Sequence, residues 1–229
     1  TKLVSRYKLS AGSISAGVTA EKDAGEKLLS GNPSLPDFLS GNLCYTGKGV
    51  IQKLIIGDFS VRFGAGTNIN TSFRTALPLT SQSFQPVRDD IRPYTSAEEN
   101  RFFRGVGGSF RYGKACLSLF YSTLPVDGSV DPATGFITGF NTSGLHTDSV
   151  TMSEKDNINK NALGANLMLN FGSFATGVTC SLTKFSSPLQ PDRENGNVNP
   201  DFGSSDYSFY LSGVIKKLII SFEVTADEN

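Results

Sequence analysis

The chain has 229 residues, 38% hydrophobic and 18% charged, with 24 glycines, 17 phenylalanines and no tryptophan. Both fractions lie below those of an ordinary soluble globular domain, and the composition suits many strands and turns better than a helical core. Basic and acidic residues balance at 21 each, so a net charge of +0 excludes any general attraction of the whole chain to nucleic acid or anionic lipid.

Period-2 alternation dominates the sequence and marks about ten strands in five hairpins. The first hairpin pairs residues 3–9 with 13–20, where Ile14, Ala16, Val18 and Ala20 share a face. The second pairs 38–45 with 53–64, where Ile55, Phe59, Val61 and Phe63 oppose Asp58, Ser60 and Arg62. The third pairs 101–112 with 115–122; Phe102, Val106, Phe110 and Tyr112 oppose Arg101, Gly105, Gly107, Ser109 and Arg111. In the fourth, 162–171 and 174–185, Leu163, Ala165, Leu167, Leu169 and Phe171 oppose Gly164, Asn166 and Asn170. In the fifth, 207–214 and 218–226, Leu218, Ile220, Phe222, Val224 and Ala226 oppose Ser221, Glu223 and Thr225.

Connections within a hairpin are short: 10–12, 46–52, 113–114, 172–173 and 215–217. Connections between hairpins are long and polar: 21–36, 65–100, 123–161 and 186–206. Compact soluble domains rarely carry several loops of that length, whereas outer-membrane barrels alternate short periplasmic turns with long extracellular loops. No run of about 18 apolar residues could form a transmembrane helix. In lipid every backbone N–H and C=O must be paired, so strands cross only within a closed wall. The expected fold is therefore all-β: an antiparallel up-and-down transmembrane β-barrel spanning residues 1–229, part of a larger barrel in the bacterial outer membrane. The apolar faces then meet lipid, and Asp58, Arg62, Arg101, Arg111 and Glu223 face the lumen. With short turns periplasmic, the first strand enters from outside and the last ends outside. That topology predicts a longer parent protein, which a native mass near 24.5 kDa would refute. The competing reading is a soluble or surface-exposed β-sandwich binding a partner or glycan. It explains the alternation but not the loop rhythm.

Several segments carry a family resemblance. They are the run 19–26, Pro36-Asp37-Phe38 with Ser40, Ile56-Gly57-Asp58-Phe59, Phe63-Gly64-Ala65-Gly66, the long block 91–105, Phe120-Tyr121-Ser122 and Ser143-Gly144-Leu145-His146. Together they resemble a Bacteroidetes outer-membrane β-barrel family described as helix-hairpin-helix domain-containing proteins, in its barrel portion. The family often has Gln where Ala65 stands and Arg where Thr147 stands. The resemblance implies a barrel preceded by DNA-binding-type helical modules, none of which is in these residues. A link to DNA uptake thus enters by analogy alone. Outer-membrane lipid is the implied partner, with other outer-membrane or periplasmic proteins if the barrel is a scaffold.

Candidate chemistry is sparse, and a non-enzymatic role is expected. His146, the only histidine, lies in a long loop near Asp148; Arg92, Glu98 and Glu99 lie in another. A surface protease of the omptin type sets acidic residues and a histidine at a barrel mouth, but its sequence pattern is absent. Arg92-Pro93-Tyr94 and Glu98-Glu99-Asn100-Arg101 either fold a constriction into the lumen or pin a loop to the wall by charge-assisted hydrogen bonds, the second being favoured. Cys44, Cys116 and Cys180 are too few and too far apart for a disulfide framework or metal site and are expected to be small buried side chains. No cofactor and no metal are expected.

Overall fold

The computed structural model describes residues 3–22, 38–71, 88–96, 98, 100–144, 146, 149–190, 201–215 and 218–228. The strands are β1 (Leu3–Ala11), β2 (Ile14–Lys22), β3 (Phe38–Thr46), β4 (Ile51–Gly64), β5 (Arg88–Pro93), β6 (Phe103–Tyr112), β7 (Ala115–Val126), β8 (Gly128–Val130), β9 (Ile137–Phe140), β10 (Ile158–Asn170), β11 (Phe174–Leu189), β12 (Asp201–Ile215) and β13 (Leu218–Asp227). One short helix, α1 (Ser149–Glu154), precedes β10.

Ten of these strands form one antiparallel meander in the order β1-β2-β3-β4-β6-β7-β10-β11-β12-β13, which agrees with the five hairpins read from alternation. The sheet does not close. Among the described residues β1 pairs only with β2 and β13 only with β12, so the all-β antiparallel meander agrees with expectation and forms an open, curved sheet with two free edges, not by itself a closed barrel.

The two faces are chemically opposite. On the convex face, register places Leu117, Leu167, Val178, Phe209 and Val224 side by side, all exposed. A second exposed row runs Leu43, Ile56, Val106, Tyr121, Leu163. One residue along each strand, the concave face carries Ser109, Ser118, Asn166, Thr179 and Ser208, all buried. Alternation thus puts apolar groups on the outer face along these rows, while the inner face mixes these polar groups with buried Cys116, Phe120 and Ala162. The predicted faces of β2, β10 and β13 agree with this.

β4 departs from its predicted orientation. Ile55, Phe59, Val61 and Phe63 are buried in an interior cluster with Phe103 and Phe120, and it is Leu54 and Ile56 that face outward. The run Leu54-Ile55-Ile56 is apolar on both faces, so period 2 cannot choose between them. β4 lies between β3 and β6 only as far as Gly57 on one side and Phe59 on the other. Beyond that its partners are β5 and residues 69–71, through Phe63 N–H to Ile69 C=O (3.2 Å) and Thr71 N–H to Val61 C=O (2.9 Å). This small inner unit occupies the concavity. Gly57 marks the departure: its φ is +98°, and a Cβ there would lie 2.2 Å from the Gly41 carbonyl oxygen. Gly57→Ala should therefore cost at least about 2 kcal/mol, read as a lowered urea midpoint at unchanged slope.

The long connections also need correction. The expected loop 123–161 is largely built: β7 runs to Val126, β10 starts at Ile158, and β8, β9 and α1 lie between. The 186–206 loop shrinks because β11 reaches Leu189 and β12 starts at Asp201. Most of 21–36 lies outside the described residues. Cys44 and Cys116 are buried as expected, but Cys180 is exposed, beside Ala165 and Tyr207 on the convex face.

Candidate functional site

The strongest concentration of polar contacts lies where the inner unit meets the concave wall. On β13, the Glu223 carboxylate accepts the Ser208 hydroxyl at 3.0 Å and the Thr67 N–H at 3.2 Å. Ser181 on β11 donates to Asn68 Oδ1 at 2.9 Å. The side-chain oxygen of fully buried Asn166 accepts from the Tyr210 and Thr179 hydroxyls, both at 3.0 Å. The Thr67 and Asn68 contacts fasten the 64–70 turn to β11 and β13, while Asn166 joins β10 to β11 and β12. Glu223 lies on the inner face, on the beat that alternation gives it. Thr67, which Glu223 meets, is 156 residues away in sequence and gives no local signal.

Asp58 and Arg104 form the second centre. Asp58 is 1% exposed and sits at the point where β4 leaves the wall. Its carboxylate takes Arg104 Nε at 2.7 Å and Nη2 at 3.0 Å, together with the Gly41 N–H at 3.0 Å. Arg104 also donates to the Leu39 carbonyl at 2.9 Å and lies over the Phe102 ring. The pair thus links β3, β4 and β6. It is a bidentate, charge-assisted arrangement that satisfies a buried carboxylate. Sequence reasoning picked out Asp58 but not Arg104. The signal was present, since Gly57-Asp58-Phe59 and Phe103-Arg104-Gly105 are both in the segments of family resemblance and face each other residue for residue in the sheet.

The other expected site residues scatter. Arg62 turns back to donate to the Ala65 carbonyl at 2.7 Å, inside the inner unit. Arg111 is exposed near the β6–β7 turn, and its N–H bonds the Val50 carbonyl at 2.7 Å. Arg101 lies before β6 rather than in it, exposed and paired with Glu98 at 3.0 Å. Arg92 is exposed and paired with Asp90. Glu99 and Asp148 lie outside the described residues. The 92–101 stretch and the residues just before it have direct contacts to neighbouring strands, while Arg92 and Pro93 also end β5 of the inner unit, so the two readings are not exclusive. Lys53 Nζ on β4 meets Asp90 at 3.4 Å and the Ile91 carbonyl at 2.7 Å, and Asn42 on β3 donates to the Tyr94 carbonyl at 2.8 Å. The Tyr94 phenol, pushed up to about 12 chiefly by burial, stays neutral and donates to the Glu98 carbonyl.

His146 is not a solvated loop residue. It is buried, with Nε2 at 2.9 Å from Asp127 Oδ2, while Asp127 Oδ1 accepts the Asp156 N–H at 2.8 Å. Asp127 therefore ties the end of the 127–157 segment to its start through the Asp156 N–H and separately holds His146. Glu154 of α1 adds contacts from Ser129 and Asn141. His146→Ala should loosen this segment by about 1–3 kcal/mol, because a buried carboxylate oxygen loses its partner. Limited proteolysis would then cut between residues 127 and 157 several-fold faster while the hairpins stay protected.

Among the described residues no group of His, Cys, Asp and Glu side chains could hold a metal ion. Among the described residues, the chemistry around the inner unit is that of amides, hydroxyls and the Asp58 and Glu223 carboxylates, which are engaged in fastening. Comparison with family models, curated proteins and solved structures gave no match to this chain.

Proposed function

We propose that this chain is a non-enzymatic wall of a bacterial outer-membrane β-barrel, with its own β4–β5 unit lodged on the lumen side. It serves a surface complex or gated uptake rather than free diffusion. The observation that carries the reading is the inverted pattern of the sheet: contiguous exposed leucine, valine and phenylalanine rows outside, buried serine, threonine and asparagine inside. A soluble sandwich would bury the first set and wet the second. Backbone pairing in lipid supplies the reason for a meander of long antiparallel strands. The filled concave side argues against an open pore through this part of the wall, because Phe59, Phe63, Ile69 and Ile91 are packed there with no more than 7% exposure.

Cell fractionation tests the reading. Recovery in the outer membrane, a need for detergent and a gel mobility that changes on heating are the expected results. A detergent-free, monodisperse soluble protein would refute it. The family resemblance adds a link to DNA uptake, which loss of natural transformation on deletion would support and normal transformation would discard.

A further inference from the structure

The balanced net charge conceals a segregation along the strand axis. All 21 Asp and Glu residues lie outside the stretches 1–20, 38–57, 100–126, 157–191 and 207–222, which contain the five short turns and most of the strand length beside them. Acidic residues collect instead at the opposite, long-loop end, as with Glu21, Glu98, Asp127, Glu154, Asp156 and Asp227.

The short-turn end is basic and aromatic. Lys48 in the β3–β4 turn and Arg111 and Lys114 at the β6–β7 turn are exposed. Interleaved with them are exposed Tyr45, Tyr112 and Phe171, at 39%, 84% and 54%, with Lys114 Nζ lying 5.3 Å from the Phe171 ring centre. Main-chain hydrogen bonds lace the turns into one rim: Thr46 N–H to Ser13 C=O (2.8 Å), Arg111 N–H to Val50 C=O (2.7 Å), Asn170 N–H to Lys114 C=O (2.8 Å) and Val214 N–H to Ser173 C=O (2.9 Å). The cations are therefore held at one level by a continuous scaffold rather than on independent loops.

We propose that this rim seats on anionic phospholipid headgroups at the membrane face nearest the short turns. The inference rests on the membrane reading above and adds which lipid the wall selects. Three features favour lipid as the occupant. The rim directly borders the exposed apolar rows, so whatever meets the rim also meets the edge of the apolar belt. Exposed tyrosines and phenylalanines are the side chains that settle at headgroup depth. Cations in the acid-free stretches 38–57 and 100–126 attract phosphate over about a Debye length.

The test is insertion of the urea-unfolded full-length protein, in which the wall can close, into vesicles of phosphatidylcholine and of phosphatidylcholine mixed with phosphatidylglycerol, followed by the heat-sensitive gel band. Insertion is expected to be about tenfold faster with the anionic lipid at low salt, falling to about twofold in ~0.5 M salt. The variant K48Q/R111Q/K114Q should lose the anionic advantage while inserting into phosphatidylcholine like the parent, which shows that it still folds. Equal rates with both lipids overturn the lipid assignment, point to an acidic protein as the rim's partner, and leave the membrane reading standing. An anionic advantage that survives in the triple variant also overturns it. Failure to enter either vesicle removes the membrane reading and this inference together.

Discussion

On the proposed membrane-wall reading, lysines placed at both Leu167 and Phe209 abolish insertion into a bilayer. Leu167 on β10 and Phe209 on β12 flank Val178 in the central convex row and are 42% and 45% exposed. In water a lysine at such a position is harmless, because the side chain is already at the surface. In hydrocarbon each lysine near the midplane costs about 2–4 kcal/mol. Two that do not touch add to roughly 4–8 kcal/mol, comparable with a typical total stability of about 5–15 kcal/mol. The measurement is the folded fraction after dilution from urea into vesicles. Ala133→Lys, at an exposed position between β8 and β9, is the control and should insert normally. Normal insertion of the double variant would mean that the convex rows never meet lipid.

Arg104→Ala should cost about 3 kcal/mol, toward the lower end of what breaking a buried ion pair costs, because it strands the Asp58 carboxylate. The side chain of Asp58 is 2% exposed and that of Arg104 is 41% exposed. Solvent therefore already screens the guanidinium side, which is the reason for placing the estimate low. The Gly41 N–H remains as the carboxylate's other donor. Arg104→Lys should recover only part of the loss, since one ammonium cannot bridge both Asp58 oxygens and the Leu39 carbonyl as the planar fork does. Combining Arg104→Ala with Asp58→Asn should be milder than Arg104→Ala alone, because no buried charge is left over. Urea midpoints at constant slope read all of these. If the single and double variants were equally unstable, the loss would come from packing of the arginine stem on Phe102 instead of from charge.

Alternation and turn spacing determined the ten-strand meander, the five short turns, and the outward faces of β2, β10 and β13. Those features are legible because each depends on residues adjacent or two apart: a polar–apolar beat selects a face, and a glycine-rich gap selects a turn. The inward placement of Glu223 follows from the same beat. The tertiary structure alone decided that β4 leaves the wall at Gly57, that Asp58 meets Arg104, that Asp127 holds His146, and that the sheet stays open. The side-chain contacts among these join groups 46 and 19 residues apart in sequence. In β4, Leu54-Ile55-Ile56 offers an apolar side chain to either face, so the choice falls to the interior cavity that Phe59, Val61 and Phe63 fill against Phe103 and Phe120. Local pattern specifies which surface a strand can offer; the contacts available across the fold determine which one it uses.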